Sequence, residues 1–171
     1  MDKLAGASHL SHIRAVHVRI QSSKPFEALR SALEEQLGPW RPQEFGRFAD
    51  AQTPEEFEAG IRQLTGPSGF MTFFIADHNH YYSRIFGGNG GRVVMFVIGN
   101  ASIARRIVAR KAEAGLYVPL HIAVYENAEG FGELEYDLPS SLFAQFGDEA
   151  VDAIAKELDG KLEALAMASI A

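Results

Sequence analysis

Arg14-Ala-Val-His-Val-Arg-Ile20 alternates strictly, with Val16, Val18 and Ile20 on one side and His17 and Arg19 on the other. That period of two predicts a strand with one buried and one polar face. Ser22-Ser23-Lys24-Pro25 reads as a helix start, because serine caps and proline fits a first turn. Phe26, Leu29, Ala32, Leu33 and Leu37 then follow at helical spacing until Gly38-Pro39 stops the helix. Residues 39–69 are the least regular. Trp40-Arg41-Pro42 and the pair Phe45 and Phe48 predict a packed loop. A further helix opens at Thr53-Pro54-Glu55-Glu56 and buries Phe57, Ile61 and Leu64.

Strand patterns come next. Phe70 to Ala76 and Tyr81 to Phe86 read as strands, the second leading into Gly87-Gly-Asn-Gly-Gly91. Arg92 to Ile98 is apolar on both sides, which predicts a central strand. Gly99-Asn100-Ala101-Ser102 leads into a helix with Ile103, Ala104, Ile107 and Val108 inward and Arg105, Arg106 and Arg110 outward, ending at Gly115. Val118 to Glu126 sets Leu120, Ile122 and Val124 against His121, Ala123 and Tyr125. After the turn Asn127 to Gly130, a return strand sets Leu134, Tyr136 and Leu138 against Glu133, Glu135 and Asp137. A long last helix runs from Asp148 to about Ser169, with Val151, Ile154, Ala155, Leu158, Leu162 and Leu165 on one stripe. The order predicts an α+β fold, an antiparallel or mixed sheet with helices on one face and a polar second face. No repeat or break divides the chain, so a single domain is expected over residues 14–171 behind a tail of residues 1–13.

The 171 residues, 47% hydrophobic and 22% charged, suit one globular core and exclude a disordered or fibrous chain. Without cysteine there is no disulfide, thiolate metal site or thiol nucleophile. A formal charge of −6 argues against a nucleic-acid partner. The charge is uneven: residues 1–120 hold 14 basic and 11 acidic residues, residues 121–171 hold 2 and 11. Met1 to Ser8 lacks the apolar core of a signal peptide, and the longest apolar run, Val93 to Ile98, is far short of the ~20 residues a membrane span needs. These features lead to the expectation of a cytoplasmic protein with no membrane partner.

Several motifs from Val94 onward resemble an uncharacterised bacterial family, domain of unknown function 302. They are Val97-Ile98-Gly99-Asn100 before a helix, Gly115-Leu-Tyr-Val-Pro-Leu120 leading into Ile122-Ala-Val-Tyr-Glu126, and Tyr136-Asp-Leu-Pro139 before the last helix. Residues 14–38 fit the family's opening more loosely, so the resemblance covers about two-thirds of the chain, and residues 39–69 have no counterpart. Ala101 stands where the family usually has proline, and Leu120 where many members have cysteine, so a thiol-dependent role cannot operate here. The resemblance implies a curved, mainly antiparallel sheet packed on helices, similar to the TATA-box-binding-protein-like fold, often as a homodimer. It implies no activity.

Candidate chemistry gathers on the polar sheet face. His17 and Arg19, His121 and Tyr125, and Glu133 and Glu135 all oppose the apolar side. Neighbouring strands would unite imidazoles, a guanidinium, a phenol and carboxylates, a set suited to a small polar ligand or to acid–base chemistry near neutral pH. The simpler alternative is a solvated or dimer-buried face with cross-strand ion pairs. His78 and His80 share a face if extended and bring up a divalent metal as cofactor, against an ordinary polar turn. His9 and His12 lie in the tail, where adventitious metal contact competes with simple solvation. Gly87 to Gly91 joins strands and lacks the Gly-Lys-Ser/Thr ending, so it predicts a hairpin rather than a phosphate loop. At Gly99-Asn100-Ala101-Ser102, Asn100 or Ser102 acting as a cap competes with an anion held beside Arg105 or Arg106. No nucleophile elbow or zinc helix occurs. The leading expectation is a non-enzymatic homodimer that binds a small polar ligand or a protein partner through His17, Arg19, His121, Tyr125 and Glu135. The alternative is an enzyme using His17 and His121 with Glu135, with a metal at His78 and His80.

Overall fold

The computed structural model describes residues 10–39, 41–48, 50–79 and 91–171. The first strand, β1 (His17–Pro25), runs directly into helix α1 (Phe26–Gln36). Short α2 (Pro42–Phe48) and α3 (Pro54–Leu64) follow, then β2 (Met71–Asp77) and β3 (Val93–Gly99). Helix α4 (Ala101–Val108) and a 3-10 turn, Ala112–Tyr117, lead to the hairpin of β4 (Leu120–Glu126) and β5 (Phe131–Asp137). Short α5 (Pro139–Phe143) and a second 3-10 turn, Ala144–Phe146, precede the long α6 (Glu149–Ile170). The strands form one five-stranded antiparallel sheet in the order β1-β5-β4-β3-β2.

One face of this sheet is closed by helices, as the alternating patterns require. Helix α1 packs on β4, β5 and α6, and α6 also reaches β1 and α4. Phe26, Leu29 and Leu33 of α1 meet Val94, Phe96 and Ile98 of β3, Ile122 and Val124 of β4, and Leu134 of β5 in one core. Val151, Leu158, Leu162 and Leu165 of α6 complete it. Each such fully buried side chain contributes roughly 1.5–3 kcal/mol.

Four expectations change. The first strand starts three residues later and continues through Ser22, Ser23 and Lys24, so those serines do not cap α1. Pro25 occupies the cap position with no side-chain bond, while the Ser22 hydroxyl accepts from the Lys24 amide and Lys24 Nζ donates to the Ser169 carbonyl near the end of α6. Residues 42–48 form a helix rather than a loop. Helix α4 stops at Val108, and Gly115 lies inside the 3-10 turn instead of ending that helix. Asn100, not Ser102, is the α4 cap, its Oδ1 accepting from the amides of Ser102 and Ile103. Thr53 and Asp148 cap α3 and α6 in the same way. The predicted strand Tyr81 to Phe86 and the glycines 87–90 lie outside the described residues.

Candidate functional site

Among the described residues, the second face of the sheet carries no helix. Register fixes its composition: Arg19 stands opposite Glu135, His17 opposite Asp137 and Gln21 opposite Glu133. On the other flank of β5, Ala123 faces Glu135 and Tyr125 faces Glu133. Strand β5, between β1 and β4, thus presents three carboxylates between a cationic strand and a phenol.

These groups bond to one another. The Tyr125 hydroxyl lies 2.6 Å from Glu133 Oε2 and 2.6 Å from Glu135 Oε1. Its single proton serves one acceptor at a time, so a cation must balance the second carboxylate. Arg19 does so, donating from Nε to Glu135 at 2.5 Å and standing 3.9 Å from Glu133. His17 Nε2 reaches Glu135 at 2.9 Å and Nδ1 reaches Asp137 at 2.8 Å. Two carboxylate acceptors, one at each ring nitrogen, require both nitrogens to donate, which is the imidazolium form. Asn127 Nδ2 donates to Glu133 at 3.1 Å.

Titration follows this geometry. The bonds to Asp137 and then Glu135 raise the His17 pKa, against a small desolvation effect. The Tyr125 bond, followed by those from His17 and Arg19, overcomes desolvation and holds Glu135 at about 2. Glu133 is lowered mainly by Tyr125 and Asn127. Tyr125 itself is raised, first by desolvation and then by its two carboxylate partners.

Beside this charged half lies an apolar half. Val93, Met95 and Val97 of β3 alternate outward, half-buried, because their strand partners are Tyr125, Ala123 and His121. Ala76 and Phe74 of β2 pair with Met95 and Val97, and Phe74 is 58% exposed. The apolar second side of β3 therefore lies on the face that carries no helix among the described residues, and its side chains are half-buried rather than fully buried.

Of the predicted site residues, His17, Arg19, Tyr125 and Glu135 meet in one network. His121 shares the face but stands on β4 opposite Val97, separated from β1 by β5, and makes no hydrogen bond or ion pair among the described residues. The expected imidazole pair does not form. Glu133, Asp137 and Asn127 complete the network. Glu133 and Asp137 were legible as the polar parity of β5, whereas Asn127 lay in a turn with no periodic signal. His78 follows β2, and His80 lies outside the described residues. Among the described residues, no group of three or more His, Asp or Glu side chains is arranged to hold a metal ion.

The molecule is thus an α+β domain, an open antiparallel sheet backed by helices. Residues 47–169 match the family described as domain of unknown function DUF302, and the chain belongs to that family. The match begins inside the segment 39–69 for which no counterpart was placed. A crystal structure of an uncharacterised conserved DUF302 protein from Bacillus stearothermophilus is similar in fold, with a TM-score of 0.64 at 16% identity. The alignment covers 90% of this chain and 97% of that one. No curated protein matches the sequence. Among the described residues, no helix is long and apolar enough to cross a membrane.

Proposed function

We propose that this protein is a non-enzymatic binding domain that works through its open sheet face, and that the occupant of that face is a second copy of the chain. The observation carrying this reading is the uncovered strip of Phe74, Ala76, Met95, Val97 and Ala123 beside a charged network that is already bonded. Phe74 is exposed and the other four are half-buried, and a contiguous apolar patch at the surface marks an interaction site. A two-fold axis lying along β2 and β3 sets this strip against its own copy and leaves the ion-paired half at the rim, where charges keep their water.

The network supports docking better than catalysis. A carboxylate held at about 2 is a poor general base near neutral pH, and a phenol with a raised pKa is a poor acid. Glu135, Glu133, Tyr125 and both ring nitrogens of His17 are bonded to one another or to Arg19 and Asp137, so a small polar ligand at those groups would have to displace those bonds. Sedimentation equilibrium tests the reading with the unchanged chain and Val97→Asp. The expected result is twice the 18.7 kDa chain mass for the first and a single chain for the second, with identical far-ultraviolet circular dichroism. A single-chain mass for the unchanged protein, or a dimer that Val97→Asp leaves intact, overturns it.

A further inference from the structure

We propose that a cleft at the junction of β3 and α4 binds a small apolar carboxylate, its hydrocarbon body among aliphatic side chains and its anion on Arg105. The cleft has a volume of about 380 Å³ and is walled by Ile103 and Ile107 of α4, Val118 and Pro119 before β4, and Leu158 of α6. That size lies at the lower end of small-molecule sites, about 300–1,000 Å³. Its aliphatic wall comes from α4, α6 and the segment before β4, none of which belongs to the apolar strip of the docking face. Two of the three segments that carry the family resemblance meet here, for Gly99, Asn100 and Leu120 also line it. Ala101 and Leu120, the two departures from the family pattern, keep their part of the wall apolar.

Arg105 is the group that sets the ligand's charge. The arginines nearby in sequence are engaged, Arg106 of α4 with Glu157 at 3.5 Å and Arg110, just past α4, with Asp148 at 3.0 Å. Arg105 lines the cleft, is exposed, and its side chain makes no hydrogen bond or ion pair among the described residues. Other donors in the wall are taken. Asn100 Nδ2 donates to the Gly69 carbonyl at 2.9 Å, and Asn100 Oδ1 accepts from the Ser102 and Ile103 amides. An unpaired guanidinium at the edge of an aliphatic cleft selects an apolar molecule ending in a planar anion, which it can grip with two parallel bonds.

Isothermal titration of the full chain with octanoate, octanol and octylamine tests this. Octanoate should bind with the highest affinity, and octylamine at least about tenfold more weakly. Arg105→Gln, at an exposed position, should keep the fold, lower octanoate affinity by about tenfold or more and leave octanol unchanged. Ala104→Phe, which fills the cleft, should abolish binding of both. Absence of octanoate binding to the unchanged chain, or equal octanoate affinity in Arg105→Gln, overturns the proposal. Retained binding in a folded Ala104→Phe overturns the location.

Discussion

Glu135 accepts from a phenol, a guanidinium and an imidazolium, and this convergence explains both its acidity and the geometry of the face. Removing the phenol oxygen takes a donor from two carboxylates at once. Tyr125→Phe should lower stability to urea by about 1–2 kcal/mol. It should also raise the Glu135 pKa, read from carboxyl-carbon shifts in an NMR titration. An unmoved Glu135 would show that Arg19 and His17 alone set its acidity. The pH dependence has two limbs of opposite sign. Glu135 is lowered from 4.5 to about 2, so its contribution is present above about 4.5 and lost as pH falls towards 2. His17 is raised from 6.5, so its contribution is complete below 6.5 and lost as pH rises through the higher native value. Thermal melting should therefore decline on both sides of the interval between them, and His17→Gln should remove the alkaline decline and make the acid one shallower, because it also takes a donor from Glu135. At 53% side-chain exposure the His17 contribution is screened, so the alkaline decline should be the shallower one.

At the scale of elements, α1 sits against β5 because β5 offers it a glycine. A Cβ at Gly132 would meet the Leu29 side chain at 2.7 and 2.9 Å. Gly132→Ala should push α1 off the sheet and cost about 1–3 kcal/mol in chemical denaturation, while preserving secondary structure. A neutral result would mean that Leu29 repacks without strain. Most elements were legible from periodicity. Alternation marked β4 and β5, and spacings of three and four marked α1 and α6, since each element buries one side only. The end of β1 was not legible. Ser22-Ser23-Lys24 has the chemistry of a helix start, and the strand continues there because Lys24 reaches across to the end of α6. That partner lies 145 residues away, beyond any local pattern. The same limit applied to the candidate site. Parity put His17 and His121 on one face, but only strand order shows that β5 lies between them. The apolar side of β3 was read as burial because the sequence does not say which sheet face receives helices.

For the whole molecule, the uneven charge along the chain becomes a pattern of pairing. Basic residues of the first 120 positions reach acidic residues of the last 51: His17 and Arg19 to β5, Arg92 to Glu126, Arg106 to Glu157 and Arg110 to Asp148. Exposed pairs of this kind contribute only about 0–1 kcal/mol each. Their larger effect is on arrangement, because the His17 and Arg19 pairs neutralise β5 on its β1 side, and among the described residues the outward positions of β2 and β3 are apolar. That division lets an apolar strip meet its copy while the ion pairs remain at the rim. The cysteine-free chain allows a direct measurement, since one introduced cysteine gives a single reactive thiol. Ala76→Cys on the apolar strip and Glu163→Cys on the exposed side of α6 can each be treated with a short bifunctional maleimide and resolved on a denaturing gel. Pairing through the apolar strip gives a two-chain band for Ala76→Cys and a single-chain band for Glu163→Cys. A single-chain band at Ala76→Cys, or equal cross-linking at both positions, would contradict it.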